Sequence, residues 1–314
     1  MTLAFVFPGQ GAQTIGMGRD LAEAYPAARA VFDEVDEALG EKLSALIWEG
    51  EQDALTLTEN AQPALMATSI AALRALEAEG VSMADVSYVA GHSLGEYSAL
   101  CAAGTFSVAD TARLLRRRGL AMQAAVPVGV GAMAAVLGLD IEAVRAIAAD
   151  AAEGEVCAAA NDNDPAQVVV SGHKGAVERA AVLAKERGAK RALMLPVSAP
   201  FHCALMAPAA EEMAAALAGV EMKDAGVPVV ANVLAEPVRE AGRIAELLVE
   251  QVTASVRWRE SVSWMAGDGG VTAFWEIGAG KALSGMIRRI AKEAETRAVG
   301  TAADVAGAVE ALRG

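Results

Sequence analysis

A serine with glycine two residues away on either side, Gly91-His92-Ser93-Leu94-Gly95, is the chain's strongest candidate for nucleophilic chemistry. The apolar stretch Val86 to Ala90 predicts a short strand before it, and Glu96 to Ala103 predicts a helix after it, ended by Gly104. Between strand and helix, Gly-x-Ser-x-Gly forms a nucleophile elbow. The turn is too tight for side chains at the two glycine positions, and it leaves the hydroxyl exposed. The start of the helix also aims the Leu94 N–H at the point where an oxyanion develops in acyl transfer. Taken alone, the pentapeptide also fits a plain tight turn.

A serine nucleophile needs a base, and the chain has three histidines. His92 adjoins Ser93, where consecutive side chains diverge, so it is a poor partner. His173 sits in Ser171-Gly172-His173-Lys174 and reads as a solvated turn residue before a helix. His202 follows a strand ending near Val197, after Ala199-Pro200-Phe201, in the kind of loop where α/β sheets gather site residues. It is the expected base, with helix capping as the alternative role. A second oxyanion donor is expected from the Gln10 N–H in the opening loop Phe7-Pro8-Gly9-Gln10-Gly11. That loop is not a dinucleotide fingerprint, because position 14 is Thr14 and not glycine.

Arg116-Arg117-Arg118 separates by helical spacing. Arg118 shares the apolar stripe of Leu114, Leu115 and Met122, whereas Arg117 faces outward with Arg113. An inward guanidinium requires an anion, and its planar fork suits a carboxylate. The anion is either a ligand carboxylate or an acidic side chain in a structural ion pair.

The elements that position these residues predict an α/β protein. A buried strand at Leu3 to Phe7 precedes helices over about Arg19 to Leu39 and Pro63 to Glu79, then the elbow, then a helix from about Ala109 to Gln123. This alternation points to a mostly parallel sheet covered on both faces. From 128 to 197 the order becomes β-α-β-β-α-β, with strands at Ala132 to Leu137, Val156 to Ala160, Gln167 to Ser171 and Arg191 to Val197. The expected division is an α/β-hydrolase-like large subdomain over 1–127 and 198–314, with an inserted ferredoxin-like small subdomain over 128–197. A helix from about Cys203 to Ala218, strands at Val227 to Val233 and Ala273 to Ile277, and a closing helix complete the large part.

The 314 residues are 54% hydrophobic but 4% aromatic, and 26 Lys and Arg against 40 Asp and Glu give a net charge of −14. That balance argues against general nucleic-acid binding. Cys101, Cys157 and Cys203 have no C-x-x-C spacing, so they read as reduced core thiols, neither disulfides nor metal ligands. The N-terminus lacks a basic segment followed by a long apolar run, and no stretch reads as a membrane span. A cytoplasmic protein without membrane contact is expected.

Six motifs in order resemble the malonyl-CoA:acyl-carrier-protein transacylases of fatty-acid synthesis. They are Phe7 to Gln13, Gly91 to Tyr97, Arg118-Gly119, Gly131 to Ala135, Pro196 to His202, and Glu276 to Lys281. The resemblance implies Ser93 as acylated nucleophile, His202 as base, Gln10 and Leu94 as oxyanion donors, and Arg118 as holder of the malonyl carboxylate. It implies that the backbone carbonyl of Gln251 orients His202 in place of a triad aspartate. It also implies malonyl-CoA and acyl carrier protein as partners, a ping-pong mechanism, no metal or bound cofactor, and action as a monomer. Phe201 beside His202 fits members selective for malonyl over the branched methylmalonyl group. Where the family often has Asn-Pro, this chain has Ala254-Ser255 before Val256-Arg257-Trp258, so the loop near Gln251 is expected to differ in shape. The alternatives are the transacylase subunit of a malonate decarboxylase system and a serine hydrolase. Against the hydrolase, its family places histidine close to the C-terminus. If an acidic carrier docks, Lys185, Arg187, Lys190 and Arg191, or Lys281, Arg288 and Arg289, are the basic clusters available.

Overall fold

The computed structural model describes residues 1–197 and 199–313. Ser198, within the Pro196 to His202 motif and at the expected return to the large subdomain, lies outside the described residues, as does Gly314. The strands are β1 (Leu3–Phe7), β2 (Val86–Gly91), β3 (Gly131–Leu137), β4 (Cys157–Asp164), β5 (Gln167–His173), β6 (Arg191–Met194), β7 (Val229–Val230), β8 (Pro237–Val238), β9 (Ala273–Ile277) and β10 (Glu295–Val299).

Six of them form one sheet in the order β10-β9-β1-β2-β7-β8. All its pairs are parallel except β7–β8. Central β1 and β9 are buried along their whole length, as a strand covered on both faces must be. The other four strands form an antiparallel sheet in the order β4-β5-β3-β6, the ferredoxin-like arrangement. Alternation along β3 divides its side chains between two cores. Ala134 and Val136 pack under the helices Ile141–Ala152 and Lys174–Glu186, whereas Met133 and Ala135 face the opposite side with Leu195, Val197 and Phe201.

The small sheet is fastened to the larger part along β4. Register shifts after Ala159 and Asp162 break the strand's alternation, and Asn161, Asp162, Asn163 and Asp164 are all buried. Asp162 pairs with Arg259 at 2.8 Å, and Asp164 pairs with Arg289 at 2.8 Å. The Val256 N–H donates to Ala160 O, and the Asp162 N–H donates to Val256 O, both at 2.9 Å. The Ala254 to Trp258 segment therefore runs along the edge of β4.

Several elements differ from the sequence expectation. The helix expected over 19–39 is two helices, Arg19–Ala24 and Pro26–Leu39, because the residue before Pro26 is driven to the extended conformation that Tyr25 adopts. The helix expected from Pro63 begins at Thr58 and carries Pro63 inside it, its burial from Ala61 to Leu73 outweighing the lost backbone bond. The strand expected over 227–233 shrinks to β7, since Asn232 leaves the ladder for the elbow. Strand β10 and the helix Ala302–Arg313 add to the expected elements; Glu295, Thr296 and Arg297 at a sheet edge hide the strand pattern.

The elbow shows why its glycines are required. A Cβ on Gly95 would lie 2.2 Å from Phe7 O and 2.9 Å from Pro8 O, and one on Gly91 would lie 1.9 Å from Gly95 C. These are backbone atoms that cannot swing aside. Gly95→Ala is expected to lower stability by at least the ~1–3 kcal/mol of ordinary overpacking. Gly242→Ala, exposed on the helix Ala241–Thr253 with nothing within 4 Å of the added Cβ, should instead raise it by ~0.5–1 kcal/mol. Thermal melts of the two variants check both signs.

Candidate active site

Ser93 stands at the junction of β2 and the helix Leu94–Ala102, with φ 54° and ψ −110°. This conformation costs a non-glycine residue about 1–3 kcal/mol, so surrounding contacts must impose it. Its Oγ lies 2.7 Å from His202 Nε2, and His202 Nδ1 lies 2.8 Å from the backbone O of Gln251. A carbonyl only accepts, so Nδ1 carries the proton and Nε2 is left to accept the serine hydrogen. His202 sits in a loop at φ 58°, ahead of a short 3-10 turn and the helix Ala207–Ala218, and does not open that helix.

Leu94 is the first residue of the elbow helix, and its N–H makes no hydrogen bond among the described residues. The same holds for the Gln10 N–H. The two come together because β1 and β2 pair in parallel up to Phe7 and Gly91, and the His92 N–H donates to Phe7 O at 3.1 Å. The opening loop is thus held against the elbow. Thr58 Oγ1 steadies Gln10 by donating to its Oε1 at 3.1 Å.

Arg118 is 1% exposed, on the same buried face of the helix Val108–Ala124 as Leu114, Leu115 and Met122. Its guanidinium donates to Gln62 Oε1 (2.8 Å), Gln251 Oε1 (2.8 Å) and Ser93 Oγ (3.1 Å), and it lies over the Tyr97 ring. Its Nε has no partner, and no carboxylate pairs with it among the described residues. Arg117 faces outward and pairs with Glu212. A cavity of about 420 Å³ opens over this cluster, lined by Ser93, His202, Arg118, Gln10, Leu94 and Phe201 from the larger part. Met133, Asn161 and Leu195 close it from the small sheet's side. Among the described residues no three His, Cys, Asp or Glu side chains come together as a metal site.

Sequence reasoning missed most of the scaffold beneath the serine. Asn232 Oδ1 accepts the Ser93 N–H at 2.8 Å, and its Nδ2 donates to Gly91 O at 2.7 Å. The Gln251 side chain donates to Ser93 O and Glu96 Oε2 in addition to accepting from Arg118. Lone amides at loop and helix positions leave no periodic signal. His92 is not the base; its Nε2 meets Asn163 Oδ1 at 2.8 Å. His173 is not a solvated turn residue, because it ends β5 half-buried and its Nδ1 accepts the Val156 N–H. Of the basic clusters, Arg187 pairs with Asp150 and Arg289 with Asp164, whereas Lys190, Arg191 and Lys281 are exposed.

Burial sets the protonation of the site. It pushes His202 down to about 3, with the Arg118 charge adding to the effect, so the imidazole is neutral and able to accept a proton. It pushes the Glu96 carboxyl up to about 7, against the hydrogen bonds from Gln251 and Asn232 and the charge of Arg118. Glu96, raised from 4.5, stabilises the fold below about 4.5, and that contribution is lost as pH rises through about 7. His202, lowered from 6.5, contributes stability above about 6.5 that is lost as pH falls toward 3. Between those limits the two slopes oppose. Glu96→Gln removes one of them, so the variant's unfolding free energy should rise more steeply with pH than the wild type's. Urea titrations at about pH 4.5, 5.5 and 6.5 measure the slopes, and equal slopes would show that Glu96 does not titrate there.

Comparison with known proteins agrees with this geometry. Residues 4–310 match the acyl transferase domain family. The chain is 48% identical over 312 residues to a malonyl CoA-acyl carrier protein transacylase of Bacillus subtilis, covering 99% of this chain and 97% of the other. Among solved structures, an acyl-carrier-protein-S-malonyltransferase from Bartonella henselae superposes with a TM-score of 0.97 at 55% identity, over 100% of both chains. A malonyl-transacylase in complex with its type II PKS acyl-carrier protein superposes with a TM-score of 0.96 at 43% identity, over 99% of this chain and 100% of that one. The chain belongs to the malonyl-CoA:acyl-carrier-protein transacylases, within the acyl transferase family.

Proposed function

We propose that the protein moves a malonyl group from malonyl-CoA to the phosphopantetheine thiol of acyl carrier protein, in fatty-acid synthesis, by a ping-pong route through malonyl-Ser93. The observation that carries the reading is the buried Arg118 guanidinium, 3.1 Å from Ser93 Oγ and without an acidic partner among the described residues. A simple esterase has no use for such a cation beside its nucleophile, whereas a substrate with a free carboxylate supplies what the cation lacks.

Ser93 Oγ gives its proton to His202 Nε2 as it attacks the thioester carbonyl. The Leu94 and Gln10 N–H groups receive the resulting oxyanion, and the Gln251 carbonyl stabilises the imidazolium through Nδ1–H. Collapse breaks the C–S bond, and His202 returns the proton to the departing CoA thiolate. The carrier's thiol then loses its proton to His202 and attacks the malonyl ester; the C–O bond to Ser93 breaks, and His202 returns the proton to Ser93 Oγ. The pantetheine arms belong to the two substrates, and no bound cofactor enters these steps.

The small sheet and its two helices support a subdomain over 128–197 inserted between 1–127 and 198–314. All the assigned residues come from one chain, so a monomer is the simplest acting unit. Three free thiols support a cytoplasmic setting.

Intact-mass analysis after incubation with malonyl-CoA and acetyl-CoA tests the reading. The wild type should gain one malonyl group on the peptide containing Ser93, Ser93→Ala should gain none, and His202→Ala should react roughly 10²–10⁴-fold more slowly. Arg118→Ala should shift use toward acetyl-CoA, and Arg118→Lys should not fully restore malonyl preference, since an ammonium cannot form the two-pronged contact. Stoichiometric malonylation of Ser93→Ala would overturn the nucleophile. Unchanged malonyl kinetics in Arg118→Ala would overturn the carboxylate assignment.

Docking of an acidic carrier on a chain of net charge −14 requires a local basic patch. The rate with carrier protein should therefore fall as salt shortens the screening length toward about 8 Å, while the rate with free pantetheine barely changes. Charge reversal at Lys190 and Arg191, or at Lys281 and Arg288, locates the patch. Arg289 is avoided, because reversing it would strand buried Asp164. Equal salt sensitivity for carrier and pantetheine would rule the patch out.

A further inference from the structure

We propose that Asn232 is a positioning residue that clamps the nucleophile elbow from across the sheet, one amide gripping the backbone on both sides of His92. Its Oδ1 accepts the Ser93 N–H at 2.8 Å, and its Nδ2 donates to Gly91 O at 2.7 Å. These bonds restrain the two peptide groups that flank His92, and so the backbone from which Ser93 Oγ projects; the peptide that carries the Leu94 N–H is held at Ser93 O by Gln251 Nε2. Ser93 is held at φ 54° and ψ −110°, a conformation the turn does not favour unaided.

The clamp is itself anchored. Asn232 is 1% exposed and lies two residues past Val230, where β7 pairs with Ala90 of β2. Its own N–H donates to Glu96 Oε2 at 3.2 Å, and its O accepts the Arg257 N–H at 3.0 Å. Glu96 Oε2 also receives Gln251 Nε2 at 2.7 Å, and Gln251 Nε2 reaches Ser93 O at 3.0 Å. The elbow is thus held at the Gly91 carbonyl and at both the amide and the carbonyl of Ser93, by residues that do not themselves line the cavity. Only an amide of this length offers a donor and an acceptor in one plane. A carboxylate lacks the donor, and alanine lacks both.

The inference rests on Ser93 as nucleophile, so the wild type's Ser93 adduct is the reference in every measurement. Acylation is followed by rapid quench and mass spectrometry, as is reaction of Ser93 with a small fluorophosphonate that has no carboxylate. Asn232→Ala should slow both reactions by a similar factor, about 10- to 100-fold for a misdirected nucleophile, with little change in KM for malonyl-CoA. Asn232→Asp adds a readout that a merely structural role would not move. Its ionised carboxyl cannot donate to Gly91 O and crowds Glu96, but once protonated it has the amide's shape with one donor and one acceptor. The rate of Asn232→Asp relative to wild type should therefore climb as pH falls, while the ratio for Asn232→Ala stays flat. The charged groups nearby are Glu96, Arg118 and His202; the Asn232→Ala ratio reports how their titration bears on an unclamped elbow, and the difference between the two ratios reads the new carboxyl together with its coupling to Glu96.

A wild-type acylation rate in Asn232→Ala, or a pH-independent ratio in Asn232→Asp, overturns the proposal while leaving the nucleophile intact. Absence of the adduct in the wild type overturns the functional reading instead. If Asn232→Ala does not fold, the near-isosteric Asn232→Asp decides the matter by its pH ratio.

Discussion

The site is organised around a positive charge taken out of water and left without a negative one. Burying a lone guanidinium is costly, and here amide oxygens of Gln62 and Gln251 offset part of the cost without neutralising it. Glu96 is a carboxylate whose charge acts on Arg118, yet it hydrogen-bonds Gln251 and Asn232 instead, and burial pushes its carboxyl toward the neutral form. Much else follows from keeping this acid and this base apart. The helix Val108–Ala124 must carry the arginine on its core face, and the helix Ala241–Thr253 must place Gln251 where its side chain faces Arg118 while its carbonyl faces His202.

That division of labour within Gln251 puts a backbone carbonyl at the position where a conventional triad has a buried acid. An acid beside His202 would stabilise the imidazolium more strongly, but it would also compete for Arg118 a few ångströms away. A backbone carbonyl fixes the tautomer without adding charge. Burial and the Arg118 charge depress the imidazole, and the bond to a neutral carbonyl offsets only part of that.

The chemistry was more legible in the sequence than the framework that enforces it. Ser93 announces itself because the glycines beside it have no substitute, and Arg118 because a charge interrupts an apolar stripe. The β-α-β-β-α-β order was readable from alternating periods of two and 3.6, although β4 extends further than its apolar residues suggest, through Asn161 to Asp164. That polar run is buried by partners from distant segments, Arg259 and Arg289, which no local pattern reveals. The roles of Asn232 and Glu96 leave no local pattern for the same reason. Their importance lies in hydrogen bonds across more than a hundred residues, and single polar side chains carry no period.

The attachment of β4 to the Val256 segment has a consequence for how these molecules behave in a crowd. An exposed strand edge is a template onto which another chain can add, and the small sheet has two such edges. One is closed from within by the backbone bonds of Val256 to Ala160 and Asp162. The other, β6, is four residues long and begins with an exposed cation, Arg191, next to Lys190. Brevity and like charge discourage two copies from zipping together there, and they offset the exposed Leu193 and Met194 on the same strand.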